Sequence, residues 1–369
     1  MVNLSVKDLV KSFAGGARAV DGINFTVPEG SLFTLLGPSG CGKTTTLRMI
    51  AGLECPSSGQ ILFGNEDYTN FPPHRREIGM VFQSYALFPH MTVFENVAYG
   101  LRIRNVKKDE LRRKVEQVLN LVDLGHTIDR KPSQMSGGQQ QRIALARALV
   151  YEPKILLLDE PLSNLDAKLR VYMREEIRKV QKKAGITTIY VTHDQEEALS
   201  ISDYIAVMHS GRVSQLGRPY DIYEHPASVL VADFIGKANF LDAEIRERTA
   251  AGYQVAAGGG AILEIARPEA EKAPLAPGHQ AVLFFRPEKA GLATAAVPGR
   301  SCGGVVTAIL YLGESVRYTL KLGSGEEVNI ALNRRIESLD EGSQAYLTLE
   351  PGDGALFPAE QKTLINRGN

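Results

Sequence analysis

Between residues 1 and 236, short unbroken apolar runs alternate with stretches whose apolar positions recur every three to four residues. The runs at 32–36, 155–158 and 188–192 predict strands buried on both faces, because a strand with one wet face would alternate. In the stretch QQQRIALARALV, Ile143, Ala146, Leu149 and Val150 fall on one side of a helix. Strands interleaved with helices predict an α/β domain around a largely parallel sheet. The opening MVNLSVKDLV carries Lys7 and Asp8 within an alternating pattern and reads as a first strand, not a secretory signal. After Phe240 the texture changes. Gly, Ala and Pro separate short runs at 281–285, 304–312 and 344–349, which predicts a small all-β domain over 240–369.

At 369 residues the chain is too long for one ordinary core, in agreement with two domains. No apolar run is long enough to cross a bilayer, so a membrane role requires a partner. Lys plus Arg total 42 and Asp plus Glu total 42, which leaves no basic field for nucleic acid. Cys41, Cys55 and Cys302 are odd in number and lack zinc-type spacing, as expected in a reducing compartment.

Candidate chemistry begins at the end of the 32–36 run. Gly37-Pro-Ser-Gly-Cys-Gly42-Lys43-Thr44 lies between a strand and the helical run TTTLRMIAGL, the context that a phosphate-binding loop requires. Gly37, Gly40 and Gly42 allow backbone N–H groups to converge on phosphate oxygens at a helix N-terminus. Lys43 adds a cation for the outer phosphates, and Thr44 offers an oxygen to Mg²⁺. Cys41 reads as a small loop residue, since no local His activates it.

The run 154–160 ends in Asp159 and Glu160 at the edge of the sheet where α/β ligands gather. Asp159 suits the Mg²⁺ shell and Glu160 suits a general base; the pair standing alone is also compatible with a solvated turn. Met135-Ser136-Gly137-Gly138-Gln139 opens the QQQRIALARALV helix with Ser136 as its N-cap. The same turn reads as a second anion site, and the two readings are compatible.

The ordered set GPSGCGKT, Gln83 in VFQSYALFPH, MSGGQ, ILLLDE, SNLD at 163–166 and His193 in VTHD resembles the ABC ATPase family. The resemblance covers 1–236 and implies a P-loop NTPase cassette with a helical subdomain at roughly 87–150. It implies ATP and Mg²⁺ as ligands, with Gly37, Ser39, Gly40, Cys41, Gly42, Lys43, Thr44 and Thr45 around the phosphates. Metal contacts would be Thr44, Gln83 and Asp159. Glu160, His193 and Gln83 would be catalytic, with His193 at the γ-phosphate and Gln83 sensing Mg²⁺ and the attacking water. Ser136, Gly137, Gly138 and Gln139 would reach the nucleotide of a second copy, and Asp166 would communicate across that homodimer. Phe13 resembles the aromatic that stacks on adenine; its alternative is a plain core phenylalanine. Met135 stands where this family mostly has leucine, a change of similar volume.

The segments FFRPEKAGL and YLGESVRYTLKL resemble parts of the OB-like TOBE domain of bacterial solute-importer ATPases. The stretch 217–241 resembles the subgroup serving polyamines, ferric iron or phosphonates, with sugar importers as near neighbours. Implied partners are two membrane permeases and an external solute-binding protein, with the chain peripheral on the cytoplasmic face of the bacterial inner membrane. Tyr85, Leu87 and Phe88 either line a groove for a permease helix or pack internally. The alternative function, a soluble ABC ATPase acting on DNA or ribosomes, calls for two cassettes, a coiled-coil insertion or a basic surface. None is evident.

Overall fold

The computed structural model describes residues 2–13, 15–266 and 275–362. The chain divides into two compact units between His225 and Pro226.

The first unit is organised by a six-stranded sheet in the order Arg212–Gly217, Tyr204–His209, Leu32–Leu36, Thr187–Thr192, Ile155–Asp159, Ile78–Val81. All neighbours are parallel except the first pair. The unbroken apolar runs are explained by what covers the two faces. Phe33, Leu35, Ile155, Leu157, Ile189 and Val191 face one core, with the helix Lys43–Ala51 and the antiparallel sheet formed by Arg18–Val27, Leu4–Ser12, Ser58–Phe63 and Glu66–Asp67. Leu32, Leu156, Leu158 and Tyr190 alternate with them into a second core, built with the helices Val93–Ile103, Lys108–Leu121, Gly137–Leu149 and Ala167–Ala184. Each strand thus buries both sides, and period-two alternation separates two cores instead of core from solvent.

The second unit holds two five-stranded antiparallel sheets. One runs Ala261–Ala266, Gly252–Ala257, Asn239–Arg248, Gln280–Phe285, Gly354–Pro358. The other runs Gly291–Ala293, Gln344–Thr348, Ser301–Tyr311, Val316–Leu322, Glu327–Leu332. Their inner faces share one core that includes Leu241, Leu283, Phe285, Val306, Tyr318 and Leu347.

The boundary lies before Gly236 for a physical reason. The short helix Val229–Phe234 sets Val229 and Ala232 against Val282, Phe284 and Phe357, on the outer side of the Gln280–Phe285 strand. Buried Arg286 donates to the carbonyls of Ala232 and Lys237, fixing the end of that helix to the same unit.

Candidate active site

Parallel register brings the motifs to one edge. Leu36 is level with Thr192, Asp159 with Val191, and Val81 with Leu158. Consequently Gly37, His193, Glu160 and the Phe82–Gln83 step all leave adjacent parallel strands at their C-terminal ends, where ligands collect in α/β sheets.

The loop at 37–43 is held in a shape that side chains would obstruct. Gly40 and Gly42 have φ of 79° and 105°, in the left-handed region. A Cβ at Gly37 would lie 2.3 Å from the Met208 carbonyl oxygen, and one at Gly42 would lie 2.3 Å from that of Ala19. Lys43 is only 5% exposed and donates from Nζ to the carbonyls of Gly37 (2.7 Å) and Pro38 (2.9 Å). Its cation thus sits inside the curl of its own loop. Cys41 is buried beside it, Nζ to Sγ 3.8 Å, and burial pushes its thiol pKa up; this is a packed thiol, not an activated one. Ser39 is exposed and Thr45 half-buried.

Thr44 Oγ1 donates to Asp159 Oδ1 at 3.3 Å, across two segments far apart in sequence. Burial, ahead of the neighbouring Glu160 charge, raises the Asp159 carboxyl pKa, while Thr44 pulls the other way. A hydroxyl and a carboxylate side by side fit a hard cation, and two protein oxygens leave its remaining positions to phosphate and water. Glu160 follows in a left-handed conformation, φ 43°, fixed by its N–H to the Val191 carbonyl. Its Oε1 is 3.3 Å from Nδ1 of exposed His193. A strained backbone next to a paired carboxylate is a common mark of a reacting position.

Around this centre the remaining candidates are arranged as follows. Ser136 caps the Gly137–Leu149 helix by accepting from the Gln139 N–H, while Gln139 Oε1 accepts from the Ser136 N–H. Gly137 and Gly138 press against Leu165, Leu169 and Met173. Asp166 caps the Ala167–Ala184 helix through the Leu169 N–H and is exposed. Gln83 is exposed, with its carbonyl accepting from Asn164 Nδ2 at 2.8 Å. Phe13 is 45% exposed beneath the Lys11 ammonium, which excludes the core alternative for it. Tyr85 is buried and Leu87 packs on the helical core, whereas Phe88 is half-buried and meets the ring of exposed Tyr99 at 4.7 Å, so Tyr85 and Leu87 pack internally and Phe88 lies at the surface.

Several polar groups at the site carry no local sequence signal. Arg147 holds the carbonyls of Tyr85 and Ala86, both at positive φ. Arg170 and Arg174 converge on Asp194, next to His193. Each pairing spans twenty or more residues of chain, beyond any spacing rule.

The family model described as ABC transporter matches residues 20–163, and that described as TOBE domain matches 283–357. The chain is 46% identical over 336 residues to the spermidine/putrescine import ATP-binding protein PotA of Acidothermus cellulolyticus, spanning 88% of this chain and 85% of that one. It is 48% identical over 328 residues to the Fe(3+) ions import ATP-binding protein FbpC of Brucella abortus, spanning 88% and 89%. MJ0796, a bacterial ABC transporter cassette solved as a dimer, superposes with a TM-score of 0.52 at 30% identity, over 58% of this chain and 98% of that one.

A cassette with these strand-end motifs defines an ATP-hydrolysing, Mg²⁺-dependent enzyme. The chain belongs to the ABC transporter family, as an ATP-binding subunit that drives solute import. Import subunits of this family are membrane-associated, and among the described residues no helix is long and apolar enough to cross a membrane.

Proposed function

We propose that Gly37, Ser39, Gly40, Cys41, Gly42, Lys43, Thr44 and Thr45 hold the ATP phosphates, and that Thr44, Asp159 and Gln83 complete the Mg²⁺ shell. When bound, Mg²⁺ offsets charge on the phosphates. Lys43 exchanges its two loop carbonyls for phosphate oxygens, so the site is preorganised and the exchange leaves no donor unpaired. Glu160 takes a proton from water as the water oxygen bonds to the γ-phosphorus. The β–γ bridging P–O bond breaks with its electron pair going to ADP. His193, with Nδ1 3.3 Å from Glu160 Oε1, donates from Nε2 to the γ-phosphate. Phe13, exposed at the loop end, stacks on adenine.

Two copies form the working unit, with Ser136, Gly137, Gly138 and Gln139 of one facing the nucleotide of the other and Asp166 at the seam. The uncovered helix N-terminus at Gly137 supports this reading, since its N–H groups and dipole favour an anion. The dimer docks on two permease subunits at the cytoplasmic face of the inner membrane and serves an external binding protein. Both relatives named above carry cations, so a small cationic solute, a polyamine or ferric iron, is the inferred cargo.

The observation that carries the proposal is the juxtaposition of Thr44 with Asp159 and of Glu160 with His193 at one sheet edge. Glu160→Gln removes the proton acceptor while keeping size, so turnover is expected to drop about 10²- to 10⁴-fold with ATP affinity retained. Steady-state hydrolysis and nucleotide binding on the purified chain measure both. Near-normal turnover would remove Glu160 from its role.

A further inference from the structure

We infer that Arg170 is a positioning residue that ties the 163–166 turn to His193, so that movement of the dimer seam is passed to the γ-phosphate contact. The inference rests on the role proposed for His193 and adds a residue to which nothing in the motif set assigns a part.

Arg170 lies in the first turn of the Ala167–Ala184 helix, whose N-cap is Asp166. Its guanidinium reaches both ways. One terminal nitrogen donates to the Leu165 carbonyl at 3.2 Å, inside the 163–166 turn. The other donates to Asp194 Oδ2 at 3.4 Å, one residue beyond His193. Its Nε is buried without a hydrogen bond, 3.9 Å from Glu197 Oε1. Arg170 also lines a small cavity together with Glu160, Ser163, Thr192, His193 and Glu197.

Asp194 is the hub of the arrangement. Its Oδ1 accepts from the Glu197 N–H, capping the next helix; its Oδ2 takes Arg170 and Arg174; its own N–H donates to Thr192 Oγ1. Glu197, 3% exposed, accepts from Tyr190 and Thr192 and anchors that helix to the sheet. Both carboxylate oxygens and the N–H of Asp194 are engaged, so the backbone next to His193 is tied on three sides while the arginines are in place. The same turn is tied to Gln83 by Asn164, so Arg170 closes a chain of contacts running Gln83, Asn164, Leu165, Arg170, Asp194, His193.

Arg174 alone cannot substitute, since it contacts Asp194 and Glu196 but not the turn. Lysine at 170 could reach one acceptor but lacks the fork needed to bridge two. Displacing a reacting group by about an ångström costs on the order of 10²-fold in rate, so an indirect effect of about tenfold on kcat is expected for Arg170→Gln. ATP is held by other residues, so its affinity should stay within about twofold, a split that a general loss of packing would not give.

The test is a double-mutant cycle on the full chain, measuring kcat and ATP affinity for Arg170→Gln, Arg170→Lys, His193→Ala and the combinations of each Arg170 variant with His193→Ala. If Arg170 acts through His193, either substitution lowers kcat in the native background and costs nothing further once His193 is alanine. Arg178→Gln, a change on the same helix as Arg170 that breaks an ion pair with Asp203 just before the Tyr204–His209 strand, should lower the melting temperature and leave kcat unchanged. Losses that add in the double variants, or ATP affinity falling in parallel with kcat, would overturn the inference while leaving His193 in its role. A His193→Ala enzyme with full turnover would instead remove the role of His193 and the inference with it. If Arg170→Gln does not fold, the lysine arm of the cycle decides by the same criterion.

Discussion

The phosphate loop and the 135–139 turn are both glycine-rich, and both open a helix, yet opposite forces shape them. In the loop, glycine is demanded by the backbone: left-handed φ at Gly40 and Gly42, and carbonyl oxygens of other segments where a Cβ would go. In the turn, Gly137 and Gly138 are helical, and what they approach are the side-chain ends of Leu165, Leu169 and Met173. The loop also holds its own cation and borders two carboxylates, whereas the turn offers N–H groups, a hydroxyl and the Gln139 side-chain amide, none of them charged. The loop is closed and charged; the turn is seated on soft packing and open at the helix end. That difference suits the composite site proposed above, in which the loop retains nucleotide and the turn of a second copy arrives and departs.

Asp159→Asn should give the largest effect, and its two readouts should move in opposite directions. Losing the carboxylate beside Thr44 should lower Mg²⁺-dependent hydrolysis by at least about 10²-fold, comparable to removing Glu160. Stability should rise. Burial sets the folded pKa above the ordinary 3.8, so the fold prefers the protonated acid. The contribution of that preference is complete below the unfolded value and is lost as pH climbs through the folded one. At neutral pH the carboxylate is therefore a burden, and the amide removes it. Melting curves without nucleotide should show the variant more stable at pH 7, with the gap closing in acid. A variant less stable at pH 7 would mean that the Thr44 bond outweighs burial.

Gly42→Ala attacks the backbone directly. Left-handed strain costs about 1–3 kcal/mol for a non-glycine residue, and forced overlap adds a similar amount. A loss of about 3 kcal/mol or more is expected, together with loss of ATP binding. Denaturant unfolding and nucleotide titration check each part. A mild phenotype would show the loop able to shift away from Ala19 and would blur its distinction from the turn.

How much of this was legible in the residues follows from the range of the forces involved. Strands 32–36 and 155–158 announced themselves through unbroken apolar runs, and the phosphate loop through glycines whose reason is local backbone geometry. Ser136 as N-cap was legible because its partner is three residues away. Arg147, Arg170 and Arg174 were not, because their acceptors are carbonyls and carboxylates brought close only by the finished sheet. The division before Pro226 was not legible for a similar reason. Val229 and Ala232 fall within the 1–236 stretch, and only the outer face of the Gln280–Phe285 strand shows what they pack against. Tyr85, Leu87 and Phe88 read equally well as a surface groove or as core, since apolar character does not say which neighbour will cover it.

Ser136→Ala removes the N-cap oxygen. Such a loss typically costs about 0.5–2 kcal/mol, and the 3.4 Å length of this bond favours the lower end. The monomer should unfold slightly earlier and bind ATP unchanged, since no contact of Ser136 reaches the phosphate loop of its own chain. Weakened ATP affinity in dilute, monomeric protein would contradict the division of labour between the two halves.

Gly138→Ala should be the mildest, because two terms of similar size oppose each other. Alanine in a helix interior is favoured over glycine by about 0.5–1 kcal/mol, which is an upper bound at the second helical position that Gly138 holds. Against this, the new Cβ would meet Leu169 Cδ1 at 3.1 Å and Met173 Sδ at 3.2 Å, contacts that need a few tenths of an ångström of relief. Both neighbours are the far ends of flexible side chains, and methionine adapts readily. The net change should lie within about 1 kcal/mol, read by thermal unfolding, with ATP binding to the single chain intact. Hydrolysis at high protein concentration is the sensitive readout, because any shift of the helix start moves the N–H groups that the second copy's nucleotide is proposed to meet. A stability loss of several kcal/mol would show that Leu169 and Met173 cannot yield. The turn would then be as rigid as the phosphate loop, and the contrast between a fixed half-site and a yielding one would not hold.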